Sequence, residues 1–193
     1  SPSVALPTFA RTTPVTATLS AVGADQMKVT VVDVDGTRTE GAFEAYATSK
    51  AVTLPITQQG VKRVEAVFRD LAGNLSPTVF AQVTFDNVAP TGAAVAFPGD
   101  WLAAAATTRT LDATGATQMQ VSVDGTLDTE PWEAFARTKS VTVPTGDGAK
   151  TARAKFRDDS LNESSAVADS ATLDSGTPTG SIAKNANAAD TKS

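Results

Sequence analysis

Apolar and polar residues alternate along most of this chain with a period of two. In the segment QMKVTV, Met27, Val29 and Val31 alternate with polar residues, and VKRVEAVF places Val64 and Phe68 on one face in the same way. This period is typical of β-strands that bury one face. Because no window shows a period of 3.6 with helix caps, the pattern predicts short strands and no helices.

The strand pattern occurs twice. The segment TLSAVGADQM at 18–27 returns as TLDATGATQM at 110–119, and TFDNVAPTG at 84–92 returns as TLDSGTPTG at 172–180. The spacing between the copies shrinks along the chain, which indicates a short insertion in the first copy, around residues 30–33. Each copy has room for about seven short antiparallel strands, which fits a two-sheet β-sandwich. The sequence therefore predicts an all-β fold with two sandwiches in tandem.

The limits of the repeat predict the domain organisation. We expect one domain over residues 1–90, a second over 91–178, and the start of a third repeat or a C-terminal tail over 179–193. Pro90 and Pro178 fall in the predicted linkers, where proline favours extended backbone and a semi-rigid connection. The chain begins at a serine without signal-peptide features, so it is expected to be a processed product or part of a longer protein.

One unusual stretch is also repeated. The sequence FRDLAGNLS at 68–76 returns as FRDDSLNES at 156–164, in each case between two predicted strands. Asp70 can accept backbone N–H groups, and Gly73 can supply a positive φ. The second copy has Leu161 at the position of Gly73. The stretch is interpreted as a hairpin connection and not as an active site.

Charge and hydropathy exclude two classes of partner. Lys and Arg total 16 against 21 for Asp and Glu, which gives a net charge of −5. Nucleic-acid binding needs concentrated basic residues, so no nucleic-acid partner is expected. The longest apolar stretches, such as LAAAA at 102–106, are too short to cross a bilayer, so no membrane insertion is expected.

Two residue types are missing, and their absence limits the chemistry. The chain has no cysteine and no histidine. Disulfides, thiolate zinc sites and Ser–His or Cys–His nucleophiles are therefore excluded, and the commonest general base near neutral pH is lacking. Catalysis by a pair of carboxylates in a cleft remains open. The sequence favours a protein that is not an enzyme.

Two segments carry a family resemblance. GDGAKTARAKFRDDSLNES at 146–164 and FDNVAPTG at 85–92 resemble bacterial and phage immunoglobulin-like, fibronectin-type tandem repeats. The first copy departs from the pattern because it lacks the GDG turn. The resemblance implies immunoglobulin-like β-sandwiches that act as carriers or binders in adhesins, surface-layer proteins, virion fibres or decorations and secreted multimodular enzymes. It implies no activity of the repeats themselves.

These observations favour a structural and interaction module on a surface-exposed protein. The expected parent is a virion (phage) fibre or decoration, or a bacterial surface adhesin, located outside the cell or on a cell or virion surface. The module would act as a spacer and a weak multivalent binder, and its partners would be other modules or subunits and surface glycans. The alternative is an accessory region of a secreted polysaccharide-degrading enzyme, which a catalytic domain in the flanking sequence would reveal.

Four aromatic residues are candidate ligand-stacking groups. Phe43 and Tyr46 share the frame aromatic–Glu–Ala–aromatic with Trp132 and Phe135. Exposed aromatic rings can stack on sugar faces. The alternative is that the rings fill the space between the two sheets, as large aromatic residues usually do, and this interpretation is favoured.

Three oxygen-bearing residues at the predicted linkers are candidate metal ligands. Asp86, Asn87 and Asp174 offer the hard oxygen atoms that Ca²⁺ prefers, and calcium at a linker would stiffen an array. Against this, a full set of ligands is not visible, and an aspartate before a turn needs no metal to explain it. No other cofactor is expected.

Overall fold

A computed structural model describes residues 1–181, and this part of the chain contains strands, turns and no helix. It therefore holds no helix that could cross a membrane. Most of the expected third repeat or tail, residues 182–193, lies outside the described residues. The strands are β1 (Ser3–Ala5), β2 (Phe9–Ala10), β3 (Val15–Ser20), β4 (Gln26–Val32), β5 (Arg38–Glu40), β6 (Glu44–Ala45), β7 (Ser49–Val52), β8 (Gly60–Arg69), β9 (Val79–Phe85), β10 (Thr91–Ala96), β11 (Trp101–Leu102), β12 (Ala106–Thr114), β13 (Gln118–Ser122), β14 (Glu133–Ala134), β15 (Thr138–Thr142), β16 (Gly148–Arg157) and β17 (Val167–Leu173).

The strands form two sheets in each half of the chain. In the first module, β1–β9, a sheet of order β1-β3-β7 faces a sheet of order β2-β9-β8-β4-β5, with β6 also paired to β4. In the second module, β10–β17, the corresponding orders are β10-β12-β15 and β11-β17-β16-β13-β14. The strand order repeats because the apolar pattern repeats. The predicted all-β tandem sandwich fold is confirmed.

The structure adds short strands to the expected seven per module. The two-residue strands β2 and β11 pair with β9 and β17 in parallel, whereas every other pair in the described chain is antiparallel. Phe9 lies opposite Thr84, and Trp101 lies opposite Thr172. These pairs are too short to show a period of two, which is why the sequence pattern does not predict them.

Each module encloses its own hydrophobic core. The inward faces of the first module bring together residues such as Met27, Val64 and Phe68, and the second module does the same with Met119 and Phe156. Among the described residues, the two clusters share no member. Burial of these apolar faces is the main force that holds the two sheets of each module together.

The last strand of the second module contains an inward-facing charge. Asp169 breaks the apolar alternation there, so the sequence leaves the register uncertain. In the structure Asp169 lies opposite Ala152, just as Ala81 lies opposite Val64 in the first module. The register is therefore unchanged, and the charge is accommodated by other contacts.

Those contacts come from a second substitution in the same core. Arg109 is fully buried at the position that Ala17 occupies in the first module, and its guanidinium lies over the ring of Phe97. Asp169 accepts the backbone N–H of Phe97 at 2.8 Å and interacts electrostatically with Arg109. Burial of Arg109 lowers its pKa, which the charge of Asp169 partly offsets. Two charged residues thus replace two alanines, and the charge of Asp169 offsets part of the cost of burying Arg109.

The insertion in the first module lengthens a hairpin. Strand β4 spans seven residues where β13 spans five, and β5 pairs with its extended end. Asp33 ends this extension and accepts a hydrogen bond from the buried ammonium of Lys62. An insertion is usually expected in a turn, but residues 30–32 continue strand β4, and the turn begins only at Asp33.

Candidate functional site

The repeated stretch folds into the same turn in both modules. In turn 1 (residues 70–76), the backbone N–H of Asn74 donates to Asp70 Oδ1 at 2.8 Å, and Asn74 Nδ2 donates to Asp70 Oδ2 at 2.8 Å. In turn 2 (residues 158–164), Asn162 makes both bonds to Asp158, at 2.9 and 3.0 Å. An aspartate followed four residues later by an asparagine is therefore the local signal for this turn.

The bonding pattern indicates a structural role for the aspartate of turn 1. The hydrogen bonds from Asn74 lower the pKa of Asp70, the side-chain bond being the largest cause. A carboxylate held in its charged form in this way is poorly suited to general acid or base work near neutral pH. This geometry agrees with the interpretation of the stretch as a hairpin connection.

The surroundings of the two turns differ although their internal bonds are the same. Turn 1 is open to solvent, and both Ala72 and Asn74 are exposed. In turn 2, Ser160 and Asn162 are only 5% and 9% exposed. Because the turns share one conformation, the burial of turn 2 must come from the part of the structure next to it.

The first module and its linker supply that burial. Asn162 Nδ2 donates a second hydrogen bond to the backbone carbonyl of Asp86, at 3.0 Å. Arg11 Nη1 donates to the carbonyl of Leu161 at 2.8 Å. Pro7, Phe9, Asn87 and Asn162 line one groove between the modules together with Arg11. Turn 2 is thus a contact between modules as well as a hairpin connection.

Each linker is also held by the module that it leaves. Asn87 and Gln59 exchange two hydrogen bonds, Asn87 N to Gln59 Oε1 at 3.0 Å and Gln59 Nε2 to Asn87 Oδ1 at 2.8 Å. At the end of the second module, Asp147 Oδ1 accepts the backbone N–H and the hydroxyl of Ser175, at 2.9 and 2.8 Å. The bond from the Ser175 N–H is the largest cause of a lowered pKa at Asp147.

The three candidate metal ligands lie at two different linkers. Asp86 Oδ1 accepts the backbone N–H of Val88 at 3.0 Å, and Asp174 Oδ1 accepts that of Gly176 at 3.2 Å. The side-chain oxygen of Asn87 is bonded to Gln59. Among residues 1–181, no group of three or more Asp and Glu residues is arranged to hold a metal ion. Linker calcium stays a prediction.

Two of the four candidate aromatic residues face the cores. Tyr46 packs edge-to-face on Phe68 with the ring centroids 5.9 Å apart, and Phe135 packs on Phe156 at 5.8 Å. The Tyr46 hydroxyl also accepts the backbone N–H of Ala21 at 3.1 Å. Edge-to-face contacts of this kind stabilise a core beyond the area that they bury.

The other two aromatic residues lie on the outside of the modules under arginine side chains. The guanidinium of Arg69 lies 4.2 Å from the ring centroid of Phe43, and that of Arg157 lies 4.3 Å from the ring of Trp132. The sequence treated all four rings alike. The arginine that covers each outer ring is the one in the repeated FRD segment, and that recurring arginine is the signal that sequence reasoning missed. Ligand stacking on any of the four stays a prediction.

Comparisons with known proteins find similar solved structures. No family model and no curated protein matches the chain. Solved structures do match: a tetra-tandem repeat from the extending region of a large adhesion protein (23% identity, 90% of this chain, 49% of that chain, TM-score 0.36) and the Clostridium thermocellum CbhA fibronectin(III)-like modules (16%, 86%, 86%, 0.49). A two-domain fibronectin type-III segment from chicken tenascin also matches (12%, 89%, 98%, 0.41).

The chain has the fold of tandem immunoglobulin-like domains. Its own strand order and its two separate cores establish this. The structure thus agrees with the resemblance of the sequence to immunoglobulin-like repeats. The chain spans about half the length of the tetra-tandem repeat that it matches.

Proposed function

We propose that this immunoglobulin-like tandem segment is a structural and interaction segment that spaces its modules in a semi-rigid line. We assign the modules to residues 1–90 and 91–178, and the start of a further repeat or a tail to 179–193. No catalytic role is proposed for either module. The single observation that carries the proposal is the burial of turn 2 against the linker and Arg11 of the first module.

The size of the contact supports a semi-rigid connection. A hydrogen bond contributes about 1 kcal/mol of net stability, and two such bonds cross the contact. Because each 1.4 kcal/mol is about a tenfold change in an equilibrium, the docked arrangement is favoured by roughly tenfold or more. The covalent linker is essential to this balance, since it makes the contact intramolecular and gives it a high effective concentration.

The proposed setting is the surface of a cell or a virion, as part of an adhesin, a fibre or a decoration. This part of the proposal rests on the resemblance of residues 146–164 and 85–92 to bacterial and phage immunoglobulin-like repeats. Repetition of modules would let weak contacts to surface glycans or to other subunits combine into useful avidity. A glycan-array screen of the chain, displayed singly and in multivalent form, tests the glycan part. Binding that appears only in the multivalent form is the expected result.

Two asparagine variants test the spacing function. Asn162→Ala removes a bond within turn 2 and the bond to Asp86, whereas Asn74→Ala removes only the corresponding bond within turn 1. In ¹⁵N relaxation measurements, we expect the two modules of the unaltered chain to share one rotational correlation time. We expect Asn162→Ala to shorten the correlation times of both modules and Asn74→Ala to change neither.

Either of two results would overturn the proposal. The first is independent tumbling of the modules in the unaltered chain. The second is an equal effect of Asn74→Ala and Asn162→Ala, because the contact between the modules would then contribute nothing of its own.

A further inference from the structure

The two modules present unequal surfaces at corresponding poles. The pole of the first module, which we define as residues 21–24 and turn 1, exposes Val22, Leu71 and Leu75 by 97%, 89% and 61%. The corresponding positions of the second module are Thr114, Asp159 and Glu163, which stay exposed although turn 2 lies at the contact between the modules. At these three positions the first module is therefore apolar and the second polar or acidic, although turn 2 also exposes Leu161 where turn 1 has Gly73.

The bonding groups of turn 1 are arranged as they are in turn 2. Asn74 Nδ2 bonds Asp70, as Asn162 Nδ2 bonds Asp158, but Asn162 has a second partner in the neighbouring module. In the described part of the chain, Asn74 Nδ2 has no such second acceptor. Turn 1 thus presents an unused N–H donor, Asn74 Nδ2, surrounded by exposed apolar side chains. It does so on the surface that corresponds to the docking surface of turn 2.

The trailing ends of the modules differ in a complementary way. We define the trailing end of a module as its two-residue strand (β2 or β11), the residue that follows this strand, and the linker that leaves the module. In the first module it carries Phe9 and Arg11, and in the second module Trp101 and Ala103 take those positions. Arg11 donates to the backbone carbonyl of Leu161 in the second module, whereas Trp101, which is 70% exposed, is followed by Ala103 at the position of that arginine.

We propose that the pole of the first module is a docking surface for the trailing end of another module of the second type, placed before it through the same kind of linker. The inference rests on the proposed spacing function. In this arrangement the carbonyl of Asp174 in the preceding module accepts the second N–H of Asn74 Nδ2, as the carbonyl of Asp86 does for Asn162. Trp101, which is larger than Phe9 at the same position, packs against the exposed apolar side chains around turn 1. An array would then alternate the two module types, with polar and apolar contacts in turn.

A tethered partner is chosen over a free second copy for an energetic reason. The contact between the two modules contains two crossing hydrogen bonds, and association of separate molecules costs several kcal/mol of translational and rotational freedom. A contact of this size is populated when the linker holds the partners together and is negligible between separate chains.

The test uses a fusion in which residues 92–179 precede Ser1, because that join keeps the natural number of residues between the linker aspartate and the next module. The chain has no cysteine, so a single Ala72→Cys substitution in turn 1 provides a unique thiol. Ser160→Cys in the unfused chain is the matched protected position, and Thr78→Cys is the exposed control. The measurement is the rate of thiol modification.

We expect the thiol of Ala72→Cys to react freely in the unfused chain. In the fusion its reaction should be slower by about tenfold or more, with a rate close to that of Ser160→Cys in the unfused chain. A Trp101→Asp substitution in the preceding module should restore fast reaction, while Thr78→Cys reacts at one rate throughout. Association of separate unfused chains that protects Ala72→Cys at micromolar concentration would contradict the tethered assignment.

The remaining outcomes separate this proposal from the spacing function. If Ala72→Cys reacts equally fast with and without the fusion while Ser160→Cys stays protected, the docking surface is wrong and the spacing function stands. If Ser160→Cys reacts as fast as Ala72→Cys in the unfused chain, the contact between the two modules is absent and both proposals fail.

Discussion

At the scale of single residues, one position shows how the two copies have diverged. Gly73 in turn 1 has a φ of 91°, and Leu161 at the same place in turn 2 has a φ of 63°. A side chain in this left-handed region costs about 1 kcal/mol or more. Apart from its two chain neighbours, no residue has an atom within 4 Å of the point where a Cβ would stand on Gly73, so backbone strain is the main effect at this position.

We therefore expect Leu161→Gly to stabilise the second module by about 1 kcal/mol and Gly73→Leu to destabilise the first by about the same amount. Urea unfolding can follow the modules separately, since both tryptophans, Trp101 and Trp132, lie in the second module and the single tyrosine, Tyr46, lies in the first. A loss of stability in Leu161→Gly would show that Leu161 makes contacts worth more than the strain.

The buried charges are the residues that sequence reasoning placed least well. Asp169 looked like an interruption of the strand, because its partner Arg109 is distant in the sequence and itself falls at an inward position. The structure resolves this by bringing both to one core. Charge compensation between distant strands depends on tertiary proximity, which one sequence without relatives does not reveal.

At the scale of elements, the linkers show two chemical solutions to one task. One residue of each linker is hydrogen-bonded to a hairpin of the module that the linker leaves. Asn87 forms an amide pair with Gln59, and Ser175 donates to the carboxylate of Asp147. Only the second of these depends on ionisation. The two linkers should therefore respond differently to acid.

Acidification should release the second linker and leave the first in place. The pKa of Asp147 is lowered by its bonds to Ser175, so this interaction contributes stability above the unfolded value of about 3.9 and loses it as the pH falls through the lower folded value. In an NMR titration from pH 7 to pH 2, the Ser175 amide should shift strongly below about pH 4. The Asn87 amide is the internal control, and an equal shift of both would contradict the assignment.

The aromatic elements illustrate what the sequence could and could not predict. The repeated frame placed Tyr46 and Phe135 correctly at similar positions in the two modules. It did not separate them from Phe43 and Trp132, because the four rings flank the two-residue strands β6 and β14, where the period of two is not kept. Stacking by Arg69 and Arg157, which come from another strand, decides the position of the outer rings.

At the scale of the whole molecule, two cores without shared residues predict two separate unfolding events. The contact between the modules is small, so each module should respond chiefly to changes in its own core. Phe68 and Phe156 occupy corresponding positions at 2% and 0% exposure, and each carries the edge-to-face contact of its module.

We expect Phe68→Ala to destabilise the first module by about 3–5 kcal/mol and Phe156→Ala to destabilise the second by a similar amount. Each variant should leave the transition of the other module within a few tenths of a kcal/mol, because mutational effects at distant, independent sites do not couple. Tyrosine and tryptophan fluorescence report the two transitions. A single cooperative transition that both variants shift equally would contradict the two-core description.

The sequence by itself determined the strand content, the duplication and the chemistry of the repeated turn, because these depend on periodicity and on the preferences of neighbouring residues. Only the tertiary structure decided that turn 2 is buried while turn 1 is exposed, and that Arg109 and Asp169 share a core. Both outcomes depend on which distant surfaces meet. Two nearly identical local segments can therefore have the same conformation and still differ in what they contact.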